Sequence, residues 1–178
     1  MERRGQAVRR LHPGDAHAYR ALMLDGYARH PDAFTSTAAE RAALPFSWWQ
    51  ARLRDGTDAP EIVLGAFDDD RLAGAAGLSF ETRERARHKG TLFGMVVAEA
   101  ARRRGYGRAL VLAALDAARA RPGVRVVQLT VTDGNAGARA LYEACGFAAF
   151  GVEPYAVAVQ GRFLAKVHMW CPLGGLAS

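Results

Sequence analysis

TLFGMVV at residues 91–97, RRRGYGR at 102–108 and an alanine-rich run ending at Arg121 decide how this chain is read. An apolar strand that feeds a glycine turn and then a helix aims unbonded backbone N–H groups at one point just past the strand. The positive end of the helix dipole faces the same point, which suits a phosphate. Gly105 and Gly107 permit positive φ and the close approach of a ligand, while Arg102, Arg103, Arg104 and Arg108, set around Tyr106, supply charge that matches phosphate. Two common phosphate motifs fail here. The dinucleotide fingerprint needs a third glycine where Leu110 stands, and the P-loop needs Gly-Lys-Ser/Thr, whereas the only lysines are Lys89 and Lys166.

What remains is Arg102-x-x-Gly105-x-Gly107 between a strand and a helix. Downstream come a second strand-like run, VRVVQLTVT, then Asn135 and the run Leu141-Tyr142-Glu143-Ala144-Cys145-Gly146-Phe147. This combination resembles the GCN5-related N-acetyltransferases (GNAT), whose acetyl-CoA signature is Arg/Gln-x-x-Gly-x-Gly/Ala, followed by Asn and Leu-Tyr-Glu-x-x-Gly-Phe. The resemblance covers roughly residues 7–170 and is densest over 91–147. It implies an α/β (α+β) fold: a mixed, mostly antiparallel sheet of six or seven strands, helices on both faces, and a splay between the central strands. It also implies acetyl-CoA as cosubstrate, held by Arg102, Arg103, Arg104, Gly105, Tyr106, Gly107 and Arg108 with the pyrophosphate at Arg103 to Arg108, and strand-like backbone contacts from Met95, Val96 and Val97. Asn135 falls on the cofactor side of the same pattern.

Composition is consistent with that expectation. A chain of 178 residues suits one domain, here residues 1–178 with a core over about 7–170, and can bury a sizeable core without staples. Cys145 and Cys171 have no metal-ligand spacing and are expected to be free thiols, so no metal is expected. The charged start, MERRGQAVRRL, is unlike a signal peptide, and no run of 18 apolar residues occurs, so a cytoplasmic protein without a membrane partner is expected. The net charge of +6 is mostly arginine. Those arginines are dispersed, with no basic stripe interleaved with aromatics, which argues against nucleic acid and for an anionic cofactor. Homodimerisation is left open.

Around this centre, Ala7 to Leu11 reads as a strand and Ala16 to Arg29 as a helix entered through Asp15. A helix is expected from Phe46 to Arg54. Its paired Trp48 and Trp49 either line an acceptor cleft or anchor the helix on the sheet, and anchoring is favoured. Ile62–Phe67 and Arg71–Phe80 form a hairpin across Asp68-Asp69-Asp70, read as a solvated turn. Glu81 to Gly90 reads as a surface loop, and Gly94 inside the apolar strand suggests a bulge. Asn135 caps a short helix to Ala144 that Gly146 ends. One or two strands follow, with a hairpin at Gln160-Gly161 and a frayed tail from Pro172 to Ser178.

Acetyl transfer to an amine needs a neutral amine, a polarised thioester and a proton source for the departing thiolate. The resemblance implies direct attack by a primary amine of a small molecule or protein, with no serine or cysteine nucleophile, and assigns the proton source to Tyr142. Some members of the family carry a glutamate in the central strand as base. Here Thr91, Phe93 and Met95 occupy those positions, and no base is assigned. The competing reading is a CoA-binding sensor or partner-binding module that keeps the fold and transfers nothing.

Overall fold

The computed structural model describes residues 7–174. In chain order these form β1 (Ala7–Arg10), α1 (Ala16–Arg29), α2 (Ala38–Ala42), α3 (Phe46–Arg52), β2 (Glu61–Asp68), β3 (Arg71–Phe80), β4 (Lys89–Val97), α4 (Tyr106–Ala120), β5 (Val126–Thr132), α5 (Ala136–Ala144), β6 (Ala148–Val159) and β7 (Arg162–Pro172). The strands make one seven-stranded sheet in the order β1-β2-β3-β4-β5-β7-β6. Only β4 and β5 pair in parallel; the other pairs are antiparallel. This is the mixed, mostly antiparallel sheet expected from the sequence.

Helices cover both faces. On one side α4 inserts Tyr106, Leu110, Val111, Ala114, Leu115 and Ala118 against Leu78, Leu92 and Val127. Its polar residues Arg108, Asp116 and Arg119 stay outside, which is the narrow polar arc expected of a mostly buried helix. On the other side Tyr19, Met23 and Tyr27 of α1 and Trp49 of α3 bury against Val63, Ala75 and Val96. Trp49 is fully buried and meets Tyr19 edge-on at 5.7 Å, so this tryptophan anchors its helix.

Two expectations change in the structure, and one helix appears that the sequence reading did not assign. Lys89 and Gly90 belong to β4, not to a loop, because Gly90 pairs with Phe80 on one side and Val127 on the other. Residues 38–42 form a helix that apolar periodicity does not reveal. Its signal is the capping box, in which the Glu40 amide donates to Thr37 Oγ1 at 3.1 Å and the Thr37 amide donates to the Glu40 carboxylate at 2.8 Å. Pro172 is the last residue of β7, paired with Val126, so the expected fraying does not begin there; residues 175–178 lie outside the described residues.

The feature that shapes the centre of the sheet is the bulge in β4. Ala75 faces Val96 and Gly77 faces Phe93, so Gly94 and Met95 together oppose Ala76. Gly94 takes φ +59°, in the left-handed region, while an added Cβ there would find only ordinary contact with Met23 at 3.6 Å. The need for glycine is therefore conformational. On its other edge β4 pairs with β5 only from Lys89 to Thr91, whereas β5 pairs with β7 along its whole length. The two parallel strands consequently part beyond Thr91 and leave a wedge at their carboxyl ends. Gly94→Ala is expected to lower the unfolding free energy by about 1–2 kcal/mol, the cost of a left-handed L-residue, measured as a shift in denaturant midpoint at constant slope.

Candidate active site

A cleft of about 870 Å³ runs through that wedge, within the range of small-molecule sites. Met95, Val96, Val97, Arg102, Arg103, Gly105, Tyr106, Gly107, Arg108, Asn135 and Tyr142 all line it, so the sequence-predicted residues converge on one place. Arg104 is the exception. Its guanidinium turns to Asp68 at the end of β2, with Nη–O distances of 2.7 and 2.9 Å, and lies over the Tyr106 ring at 5.3 Å. Asp68 is thus not merely a solvated turn residue. Arg104 and a hydrogen bond from Tyr106 hold its carboxyl below the usual range, and together they tie the glycine turn to the β2–β3 hairpin.

Local geometry opens the turn to the cleft. Arg103 takes φ +60° and Gly105, the residue before α4, takes φ +86°, so the chain curls and presents successive amides to one side. No side chain caps α4, which leaves its first amides to other partners. At Gly107 a Cβ would approach Leu141 Cδ2 to 3.2 Å and Met95 Cε to 3.4 Å, narrowing the passage between α4, α5 and β4. Arg102 braces instead of reaching outward: its Nη meets His30 Nε2 at 2.6 Å, at the carboxyl end of α1. Asn135 accepts from the Ala138 amide at 3.3 Å, the cap expected of it, while also lining the cleft.

Tyr142 is buried on α5 with its ring edge-on to Phe147 at 5.9 Å. No hydrogen bond joins its hydroxyl to another described residue. Burial pushes its pKa up to about 12, with the neighbouring Cys145 adding to the rise. Cys145 and Cys171 are free and buried, and burial raises both thiols, as expected of structural residues.

The far side of the cleft is formed by residues that sequence reasoning did not single out for the site. Tyr27 and His30 come from the end of α1, Phe34, Thr35 and Ser36 from the segment after it, Arg41 from α2, Arg52 from α3 and Lys166 from β7. That segment is pinned across the wedge: Thr132 Oγ1 donates to the Asp32 carbonyl at 2.6 Å and Lys166 Nζ donates to Thr35 Oγ1 at 2.7 Å. No aspartate or glutamate lines the cleft among the described residues. His168 pairs with Glu153 at 2.9 Å on the β6–β7 hairpin, and neither residue lines the cleft.

A cleft in the splay between two parallel strands, facing an uncapped helix N-terminus, defines a class that comparison with known proteins identifies. The model of the Acetyltransferase (GNAT) family matches residues 21–147, and the chain belongs to that family. It is similar to mycothiol acetyltransferase from Beutenbergia cavernae, with 34% identity over 141 residues, 78% of this chain and 43% of the relative. The corresponding protein of Salinispora tropica is 31% identical over 145 residues, 81% of this chain and 45% of the relative. The chain therefore spans less than half the length of these curated relatives. Among solved structures, a GNAT-family acetyltransferase from Streptococcus pneumoniae superposes with TM-score 0.83 at 27% identity, covering 96% of this chain and 100% of that one. The fold also matches yncA of Salmonella typhimurium, determined with its cofactor acetyl-CoA, at TM-score 0.76 and 21% identity, covering 98% of this chain and 97% of that one.

Tyr142 and Tyr19 share an alkaline signature. Burial raises each phenol from 10.0 to about 12, so the folded state holds these protons more tightly than the unfolded chain. Their contribution to stability is complete below pH 10 and is lost as pH rises through about 12. Denaturant midpoints measured across that window are expected to fall with pH, and to fall less steeply in Tyr19→Phe.

Proposed function

We propose that this chain is an N-acetyltransferase that moves the acetyl group of acetyl-CoA directly to a primary amine. The observation that carries this reading is the continuity of one cleft from the uncapped start of α4, through the β4–β5 wedge, to Tyr142. The fit to acetyl-CoA rests on the turn itself. Amides at the start of α4 with no side-chain cap, Arg103 and Arg108 on the lining, and a glycine where a Cβ would crowd the passage form a cradle for a pyrophosphate. Met95, Val96 and Val97 would hold the pantetheine arm with backbone groups that β5 leaves unpaired. Bound there, acetyl-CoA supplies the acetyl group as an activated thioester. The cofactor named for the Salmonella protein of the same fold supports the same choice.

The chain's own groups then have two tasks. Tyr142 keeps its proton on the hydroxyl oxygen at any pH below about 12, and no described residue accepts a hydrogen bond from it. Full transfer from such a phenol to a thiolate of ordinary pKa ~8.5 is uphill by roughly 5 kcal/mol. Tyr142 therefore acts by donating a hydrogen bond to the departing sulfur, not by surrendering its proton. The second task, favouring a neutral amine, falls to Arg41, Arg52 and Lys166, since nearby positive charge disfavours an ammonium ion.

That no carboxylate is among the described residues lining the cleft favours a second reading, a CoA-binding module without turnover. Acetyl-CoA consumption with a panel of amines separates the two. Calorimetry is expected to show binding of acetyl-CoA and CoA, and Gly107→Glu, which puts bulk and negative charge at the helix N-terminus, is expected to weaken it at least ~100-fold. Unchanged binding in that variant would reject the cradle. For Tyr142→Phe, single-turnover acetyl transfer should slow by roughly 10²-fold with acetyl-CoA affinity retained. Because the hydroxyl has no partner among the described residues, the denaturant midpoint should not drop. A normal chemical step in this variant would remove Tyr142 from the mechanism.

A further inference from the structure

The acceptor side of the cleft is lined by Arg41, Arg52 and Lys166 with no carboxylate among the described lining residues, and the three cations are not equivalent. Arg52 is engaged: it meets Glu61 at 3.3 Å and lies over the Trp48 and Phe93 rings at 4.8 and 4.6 Å. Lys166 donates to Thr35 at 2.7 Å. Among the described residues Arg41 meets ring faces alone, Trp48 at 4.9 Å and Tyr27 at 5.9 Å, and its Nε is shut off from solvent with no described acceptor.

A guanidinium held over two aromatic rings has already lost part of its rotational freedom. Nε, closed to solvent, is closed to a ligand as well, so the donors a cleft ligand can meet are the Nη groups, and the group that best matches such a pair is a carboxylate accepting two hydrogen bonds. The backbone of α2 places this fork on the cleft through the Thr37–Glu40 capping box, so the glutamate nearest in sequence is occupied at the helix start. The electropositive wall would also repel an acceptor whose remaining charge is positive.

Resting on the transferase reading above, we infer that the acceptor is an amino acid or a similarly small amine that carries a carboxylate, and that Arg41 receives the carboxylate. Thr35 and Ser36 flank the same wall with hydroxyls that can complete the shell around an anion. Arg41 is on this view a specificity-determining residue, and polyamines are poor acceptors.

The test compares matched pairs. Rates of CoA release are measured with each L-amino acid against its C-terminal amide, alongside phosphoethanolamine and spermidine. In parallel, the N-acetylated amino acids are titrated calorimetrically into protein saturated with CoA. The acids are expected to exceed their amides in kcat/KM by roughly 10- to 100-fold, the range for a hydrogen bond to a charged group. Arg41→Gln should bring that ratio toward one, mainly through KM, and Arg41→Lys should restore part of it. Unchanged acetyl-CoA affinity in both variants shows that they remain folded. Amides or spermidine used as well as the acids, phosphoethanolamine preferred to every acid, or a ratio untouched by Arg41→Gln would each overturn the inference while leaving the transferase reading intact. If no amine is acetylated, the transferase reading fails and calorimetry decides this one. Binding of an N-acetyl amino acid that Arg41→Gln abolishes supports it, and no binding to wild type overturns it.

Discussion

The divergence of β4 from β5 is the constraint on which the rest depends. β5 is committed to β7 over its whole length, and β4 to β3, but the extra residue at Gly94 swings the end of β4 away after three parallel pairs. Backbone groups in the interior of a sheet cannot stay unpaired without cost. A wedge of this kind is stable only if water or a ligand backbone completes it. The same opening sets α4 at the mouth of the wedge, since the helix begins a short turn after β4 ends. Fold and site are thus consequences of one local irregularity in a central strand.

Arginine is abundant, yet the structure divides its uses sharply. Arg104 and Arg102 are spent on bracing, the first tying the turn to Asp68 and the second to His30. Arg103 and Arg108 stay on the cleft, and Arg41 waits on the opposite wall. The exposed ion pairs contribute little to stability. Their value lies in geometry: a turn with left-handed residues at Arg103 and Gly105 holds its shape because both flanks are tethered.

The convergence of the glycine turn and the end of β4 on one cleft was legible from sequence because the determinants are contiguous. A strand, a glycine turn and a helix start occupy 91–121, with local signals at Gly94 and Gly105. Arg104 escaped this logic because its partner, Asp68, is 36 residues away, and spacing along the turn cannot say which of four neighbouring arginines is already paired. The opposite wall of the cleft was illegible for a related reason. Arg41, Arg52 and Lys166 come from three elements far apart in the chain and meet only when α2, α3 and β7 close around the wedge. The Thr37-x-x-Glu40 box was a readable sign of α2, but it predicts a helix start, not the direction in which Arg41 faces.

The missing base and the cationic wall are best understood together. A primary amine of pKa ~10.4 is almost entirely protonated at pH 7, whereas one near ~8 has about a tenth of its molecules neutral. A strand glutamate would extract the proton after binding. Surrounding the acceptor with positive charge works earlier, by disfavouring the protonated form as it enters, and each unit of downward pKa shift raises the neutral fraction about tenfold. That device penalises any cationic ligand unless a second group on the same molecule compensates. An anion on the acceptor does so, and the unfilled fork of Arg41 is where the compensation can be made. On the proposed reading, charge on this wall would do the selecting and the activating with the same residues, which would leave a strand position such as Phe93 free to be apolar.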